Sequence, residues 1–153
     1  MDNNFIILSL LILFMPLMSF ILQLSVGRHF GERSHFLALP IIFTTFIFSA
    51  FIFYHLIIQN YHPVHVSVDW ISSKEMYIPL GIHIDGITAI MLCVVSLISS
   101  LVHLYSTEYM KGDKRYSRYF AFLGLFTFSM NGIVLADSLI MMYLFWELSL
   151  IHI

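Results

Sequence analysis

Glu147 is the residue of this 153-residue chain whose type and position carry the most chemistry. It lies ten residues after Asp137, inside the apolar segment that runs from Ser138 to Ile153. If that segment is a helix entering a membrane at Asp137, a rise of about 1.5 Å per residue puts Glu147 roughly 15 Å deep, near the midplane of a hydrocarbon core about 30 Å thick. A carboxyl group at that depth is costly to ionise unless a cation sits beside it, and such groups mark proton and ion paths. The apolar runs of this chain hold no Lys or Arg, so any cationic partner is expected from further sequence or another subunit. Tyr143 stands one helical turn before Glu147, where its hydroxyl can face the carboxylate. The competing reading is a protonated, hydrogen-bonded structural Glu.

Two further polar residues fall within apolar runs. Gly86, Ala89, Cys93, Ser96, Ser100, His103 and Thr107 recur at intervals of three and four, which gathers them on one helix face. Small residues are where membrane helices pack closely, so His103 is expected to point into protein rather than lipid, near one end of its span, as a proton-pathway residue. A plain interhelical hydrogen bond is the alternative. Gly124, Thr127 and Asn131 share a face in the same way, and Asn131 reads as a helix-packing amide with at most a supporting role in the pathway.

These residues need helices to hold them, and the composition says in what solvent. Apolar residues make up 59% of the chain and charged ones 10%, against about 45–50% and about 25% in a soluble domain. A water-facing globule is therefore excluded in favour of an all-α integral membrane protein. Its seven basic and nine acidic residues punctuate charge-free runs at Phe5–Val26, Phe36–Ile58, Gly86–Thr107 and Tyr119–Ala136, with a fifth run from Ser138. Each of the first four is long enough to cross a bilayer as a helix, and Pro16 in the first is a tolerated kink. The start Met1-Asp2-Asn3-Asn4 lacks the basic region of a signal peptide, so a retained first span is expected. The reading is one transmembrane region, 1–148, with spans at about 5–26, 36–58, 86–107, 119–136 and 138–153 and an outer loop at 59–85.

Within that loop Val64, Val66, Val68 and Trp70 alternate with polar residues. A polar break follows at Ser72 to Glu75, and Ile78, Leu80, Ile82 and Ile84 alternate again. Period two on both sides of a short turn predicts a β-hairpin between the second and third spans, with an apolar face against helices or a partner. His62, His65 and His83 lie here without metal-ligand spacing, and an ordinary hydrogen-bonded role is favoured over a metal site. Arg28, Arg33, Lys111, Lys114, Arg115 and Arg118 fall in alternate loops and only Lys74 in the outer one. The positive-inside rule then places the N-terminus outside. The Lys111 to Arg118 cluster is a topology signal with affinity for anionic headgroups rather than a nucleic-acid patch. Tyr105, Tyr109, Tyr116 and Tyr119, with Tyr54, Tyr61 and Trp70 toward the other side, read as interfacial belts.

Several function classes are excluded. One cysteine, Cys93, allows neither an intrachain disulfide nor a CxxC site. No GxGxxG, P-loop, haem or iron–sulfur motif is present, and a net charge of -2 gives no basic field for nucleic acid.

From about Leu80 to Leu148 a series of segments becomes distinctive: Gly81-Ile-His-Ile-Asp85-Gly-Ile-Thr-Ala-Ile-Met, His103-Leu-Tyr-Ser-Thr-Glu-Tyr-Met110, Tyr116-Ser-Arg-Tyr-Phe120, Leu135-Ala-Asp137-Ser-Leu and Trp146-Glu147-Leu148. In this order they resemble the N-terminal part of the chain 5, or subunit L, family of antiporter-like membrane subunits of respiratory complex I. Residues 1–79 match in layout more than in sequence. The resemblance implies that Glu147 is a proton-pathway residue working with a lysine on a later span. It implies redox-driven proton translocation with no redox site in this chain, and NADH, FMN, iron–sulfur clusters and quinone held by other subunits. Expected partners are the other membrane subunits and the lipid bilayer, and the expected location is a bacterial plasma membrane or mitochondrial inner membrane. After Leu148 the resemblance lapses, so a fragment is expected, with 149–153 an artefactual tail that takes His152 out of consideration. The alternatives are the large subunit of a multisubunit sodium/proton antiporter or membrane-bound hydrogenase, or a structural membrane scaffold.

Overall fold

A computed structural model describes residues 2–59, 62–72 and 77–150. Four helices are long and apolar enough to cross a membrane: Asn3–Gly27, His35–Ile58, Gly86–Tyr109 and Tyr116–Leu135, with the shorter apolar helix Leu139–Leu150 following. In chain order these are α1 (Asp2–Leu22), continued by a π-helical turn at Gln23–Gly27, a short α2 (Arg28–Phe30), α3 (His35–Phe53), continued by a second π-helical turn at Tyr54–Ile58, then α4 (Gly86–Tyr109), α5 (Tyr116–Leu135) and α6 (Leu139–Leu150). The antiparallel hairpin lies between α3 and α4, with β1 at Val64–Ser72 and β2 at Tyr77–Ile84. The fold is thus the expected helical membrane bundle carrying a hairpin. The turn residues Ser73, Lys74 and Glu75, together with Tyr61 and the tail 151–153, lie outside the described residues.

The bundle buries hydroxyls beside its apolar core and turns further apolar side chains outward, an arrangement suited to lipid. Ile47, Ile87, Leu101, Leu104 and Leu139 are exposed, while Ser9, Ser19, Thr45, Ser49, Ser96 and Ser129 are buried. Most of these hydroxyls close on the carbonyl four residues back, as Ser9 does on Phe5 at 2.6 Å and Ser96 on Leu92 at 2.7 Å. Small side chains satisfied in this way let helix backbones approach. α1 crosses α5 closely, since a Cβ on Gly124 would meet the Pro16 carbonyl oxygen at 3.1 Å. A shared core of Ile12, Leu13, Ile52, Leu56, Leu92, Leu125 and Phe128 is closed at one end by Val64 and Ile84 of the hairpin. The base of the hairpin therefore packs on this chain's own helices through Val64, Ile82 and Ile84.

Two sequence expectations change. The loop Gly27 to His35 is not open coil: the chain turns through α2 and a 3-10 turn at Gly31–Ser34, with Gly31 at φ 54. A knot of polar groups fixes this bend. The buried Gln23 donates to the Ser34 carbonyl at 2.6 Å, and the Ser117 hydroxyl donates to the Gln23 carbonyl at 2.8 Å. The second change concerns Tyr116, which is not a belt residue. It is 3% exposed, its hydroxyl meets His35 Nδ1 at 2.9 Å, and it joins Ala38 and Phe120 in a small second core. Tyr105 and Tyr109 do stand exposed at the end of α4.

Candidate functional site

Glu147 owes its placement to the way α6 packs. Met141 and Ser149 are buried, and Phe145 stacks edge-on to Phe128 of α5 with ring centroids 5.5 Å apart. Gly132 makes room for this, since a Cβ there would run into the Phe145 ring. With that face fixed inward, helical periodicity turns Tyr143, Trp146 and Glu147 outward, and Tyr143 is 61% exposed. The Tyr143 hydroxyl neighbours the Glu147 carboxylate one turn on, the two sharing this face by their (i, i+4) spacing. Among the described residues no cation pairs with this carboxylate. The site is therefore a carboxylate beside one phenol on an otherwise apolar helix face that the other described residues leave open.

His103 is placed oppositely, fully buried between α4 and α5. Its Nδ1 lies 2.8 Å from the Ser99 carbonyl oxygen. A carbonyl only accepts, so Nδ1 carries the proton and Nε2 presents a lone pair. Among the described residues Nε2 meets no hydrogen-bond partner. The Ser99 hydroxyl approaches the same ring at 3.4 Å and lies 2.6 Å from the Thr127 hydroxyl on α5, which donates to the Leu123 carbonyl at 2.9 Å. His103, Ser99 and Thr127 thus form a short polar file across the interface, in line with the small-residue face read from the sequence. Among the described residues no hydrogen bond or ion pair links this file to Glu147.

Asn131 is also fully buried, and its amide donates to the Ile12 carbonyl on α1 at 3.2 Å. Its surroundings are those of a helix-packing residue.

Little in the sequence pointed to Asp137. This carboxylate, between α5 and α6, is only 5% exposed. It accepts the Gly81 backbone N–H of β2 at 3.0 Å and meets His65 Nε2 of β1 at 3.3 Å. Gly81 is required by the close approach, because a Cβ there would run into the Asp137 carboxylate and the Val66 carbonyl. Asp137 therefore anchors the hairpin to the start of the helix that carries Glu147. The isolated carboxylate between two apolar runs was the available signal; its partner 56 residues away was not. At the hairpin base Asp85 caps α4 by accepting the Thr88 N–H at 2.7 Å. That bond holds its carboxyl below the usual range, with protonated His83 adding a smaller pull from 3.6 Å. His65 and His83 thus have carboxylate neighbours and stand with ring centroids 5.6 Å apart.

Comparison with known proteins adds a sequence-level result to this geometry. Residues 70–120 match the family model described as "NADH-Ubiquinone oxidoreductase (complex I), chain 5 N-terminus". NADH-ubiquinone oxidoreductase chain 5 of Chondrus crispus is 39% identical over 140 residues, covering 90% of this chain and 21% of that protein. NADH-quinone oxidoreductase subunit L of Rickettsia bellii is 34% identical over 142 residues, covering 92% of this chain and 22% of that protein. Among solved structures, a chain of the membrane-bound sulfane sulfur reductase, an archaeal respiratory membrane complex, superposes with a TM-score of 0.74 at 15% identity, over 92% of this chain and 28% of that one, a likeness of fold alone. The chain spans about a fifth of the length of the curated relatives it matches. Over that span it belongs to the chain 5, or subunit L, family of NADH-quinone oxidoreductase membrane subunits.

Proposed function

We propose that this chain is the N-terminal part of a membrane subunit of NADH:quinone oxidoreductase and takes part in redox-driven proton translocation. The observation that carries the proposal is Glu147, a carboxylate beside Tyr143 on the open face of an apolar helix, with no cation paired to it among the described residues. Such a group binds and releases a proton according to what approaches from the open side. The approaching group is a lysine carried by later spans of the whole subunit. His103 serves the opposite end of the path, because its Nε2 lone pair is buried and unpartnered among the described residues. Tyr143 supports Glu147 directly, and Asn131 supports the path by holding α5 to α1.

In this reading the chain binds no redox group: NADH, FMN, iron–sulfur clusters and quinone belong to other subunits, and the chain contributes to a translocase rather than to oxidation itself. It works beside other membrane subunits of the complex in an energy-transducing membrane. The end of the bundle that carries Lys111, Lys114, Arg115 and Arg118 faces the cytoplasm or matrix, leaving the N-terminus and the hairpin outside. The test is Glu147→Gln in the full-length subunit within its assembled complex, assayed in sealed vesicles. Loss of NADH-driven proton pumping with normal assembly supports the reading, and unchanged pumping at normal assembly removes Glu147 from the pathway.

A further inference from the structure

The basic end of the bundle holds a cavity of about 580 Å³ between the end of α1 and the start of α5, lined among others by Leu24, Asp113, Lys114, Arg115, Ser117 and Arg118. We propose that it seats the phosphate headgroup of an anionic phospholipid.

Charge is the first argument. Among the described side chains that line the cavity three cations stand with one carboxylate, and among the described residues none of Lys114, Arg115 and Arg118 is ion-paired, whereas nearby Lys111 is held by Glu108 at 3.1 Å. The Asp113 carboxylate is itself occupied in accepting the Arg115 backbone N–H at 2.6 Å. Shape is the second. The cavity has room for roughly twenty waters at about 30 Å³ each, far more than a bare ion fills and enough for a glycerophosphate headgroup. Its walls are made rigid by the Gln23, Ser34 and Ser117 hydrogen bonds, so the space is built into the bend rather than left by a loose loop. Position is the third. One crossing helix ends at Gly27 and another begins at Tyr116, which sets the cavity at headgroup depth. Leu24, 44% exposed, offers an apolar wall for the start of an acyl chain. A free phosphate would use the cations and leave that wall idle, so the lipid is the better match.

Positive charge at this end also sets topology, and the experiment must separate a site from a field. The full-length subunit, in its complex, is reconstituted in nanodiscs of phosphatidylcholine with a minor fraction of phosphatidylglycerol, and retained lipid is counted by native mass spectrometry. Wild type should retain phosphatidylglycerol through delipidation. Arg118→Gln should reduce retention about five- to tenfold, as loss of one headgroup contact implies. Arg118→Lys should preserve most of it, which separates lost charge from failed folding. Leu24→Trp, which fills the cavity and keeps every charge, should reduce retention as strongly as Arg118→Gln. Lys111→Gln, at the same end but outside the cavity, should leave it unchanged. Equal loss in Lys111→Gln would reveal a diffuse field and overturn the proposal. So would full retention in Leu24→Trp, wild type with no preference for phosphatidylglycerol, or displacement of the lipid by millimolar inorganic phosphate.

Discussion

The side-chain amide of Asn131 on α5 donates to the backbone carbonyl of Ile12 on α1, 3.2 Å away in the buried centre of the bundle. Ile12 lies four residues before Pro16, so its carbonyl is the one that the proline, lacking an N–H, leaves without its helical donor. In lipid no water reaches such an acceptor. The proline and the asparagine, 115 positions apart, therefore form one device.

That pairing makes a double-mutant prediction. Asn131→Leu should destabilise the folded subunit by about 0.5–2 kcal/mol, measured as the thermal midpoint in detergent. Pro16→Ala restores the missing donor, so adding it should recover much of the loss. Strictly additive effects in the cycle would show that the two residues act independently.

Asp137 makes a second prediction through the hairpin. Asp137→Ala leaves the Gly81 N–H without its acceptor and should cost about 1–3 kcal/mol, seen as faster amide exchange across β2. Asp137→Asn keeps an acceptor oxygen and should largely preserve protection. Equal exchange in both variants would mean that the carboxylate does not hold the hairpin.

A third prediction concerns pH at Asp85. Its carboxyl is held below the ordinary range by the Thr88 N–H. A depressed folded value contributes stability that is complete above the unfolded value, about 3.9, and is lost as pH falls through the folded value. Melting of wild type should thus lose this contribution only below about pH 4. Asp85→Asn should cap α4 without that pH dependence, and Asp85→Ala should cost about 1 kcal/mol at neutral pH. Matching acid profiles for wild type and Asp85→Asn would contradict the assignment.

How much of this was legible beforehand follows from the range of each interaction. Charge-free runs and period-two alternation are local signals, and they marked the helices and both strands. The three-and-four spacing through Ala89, Ser96 and His103 named the buried face of α4, because helical geometry alone puts those residues together. Tyr143 and Glu147 share a face of α6 for the same reason. The bend at Gln23 was not, since it depends on Ser34 and on Ser117, 94 residues away. Asp137 and Gly81 were missed likewise, and the spacing that made Tyr116 look interfacial says nothing of His35 across the bundle. Glu147 was recognised by its depth along one helix, whereas its open face became visible only once Phe145 and Gly132 had fixed the rotation of α6.

The central claim is that Glu147 exchanges protons during turnover, and the most direct test is the number of protons pumped per NADH oxidised by the assembled complex in sealed vesicles. Glu147→Gln preserves size and polarity while removing the titrating group. The prediction is normal assembly with a clearly lowered ratio in Glu147→Gln and a smaller deficit in Tyr143→Phe. A wild-type ratio in Glu147→Gln would contradict the claim and leave Glu147 a structural residue.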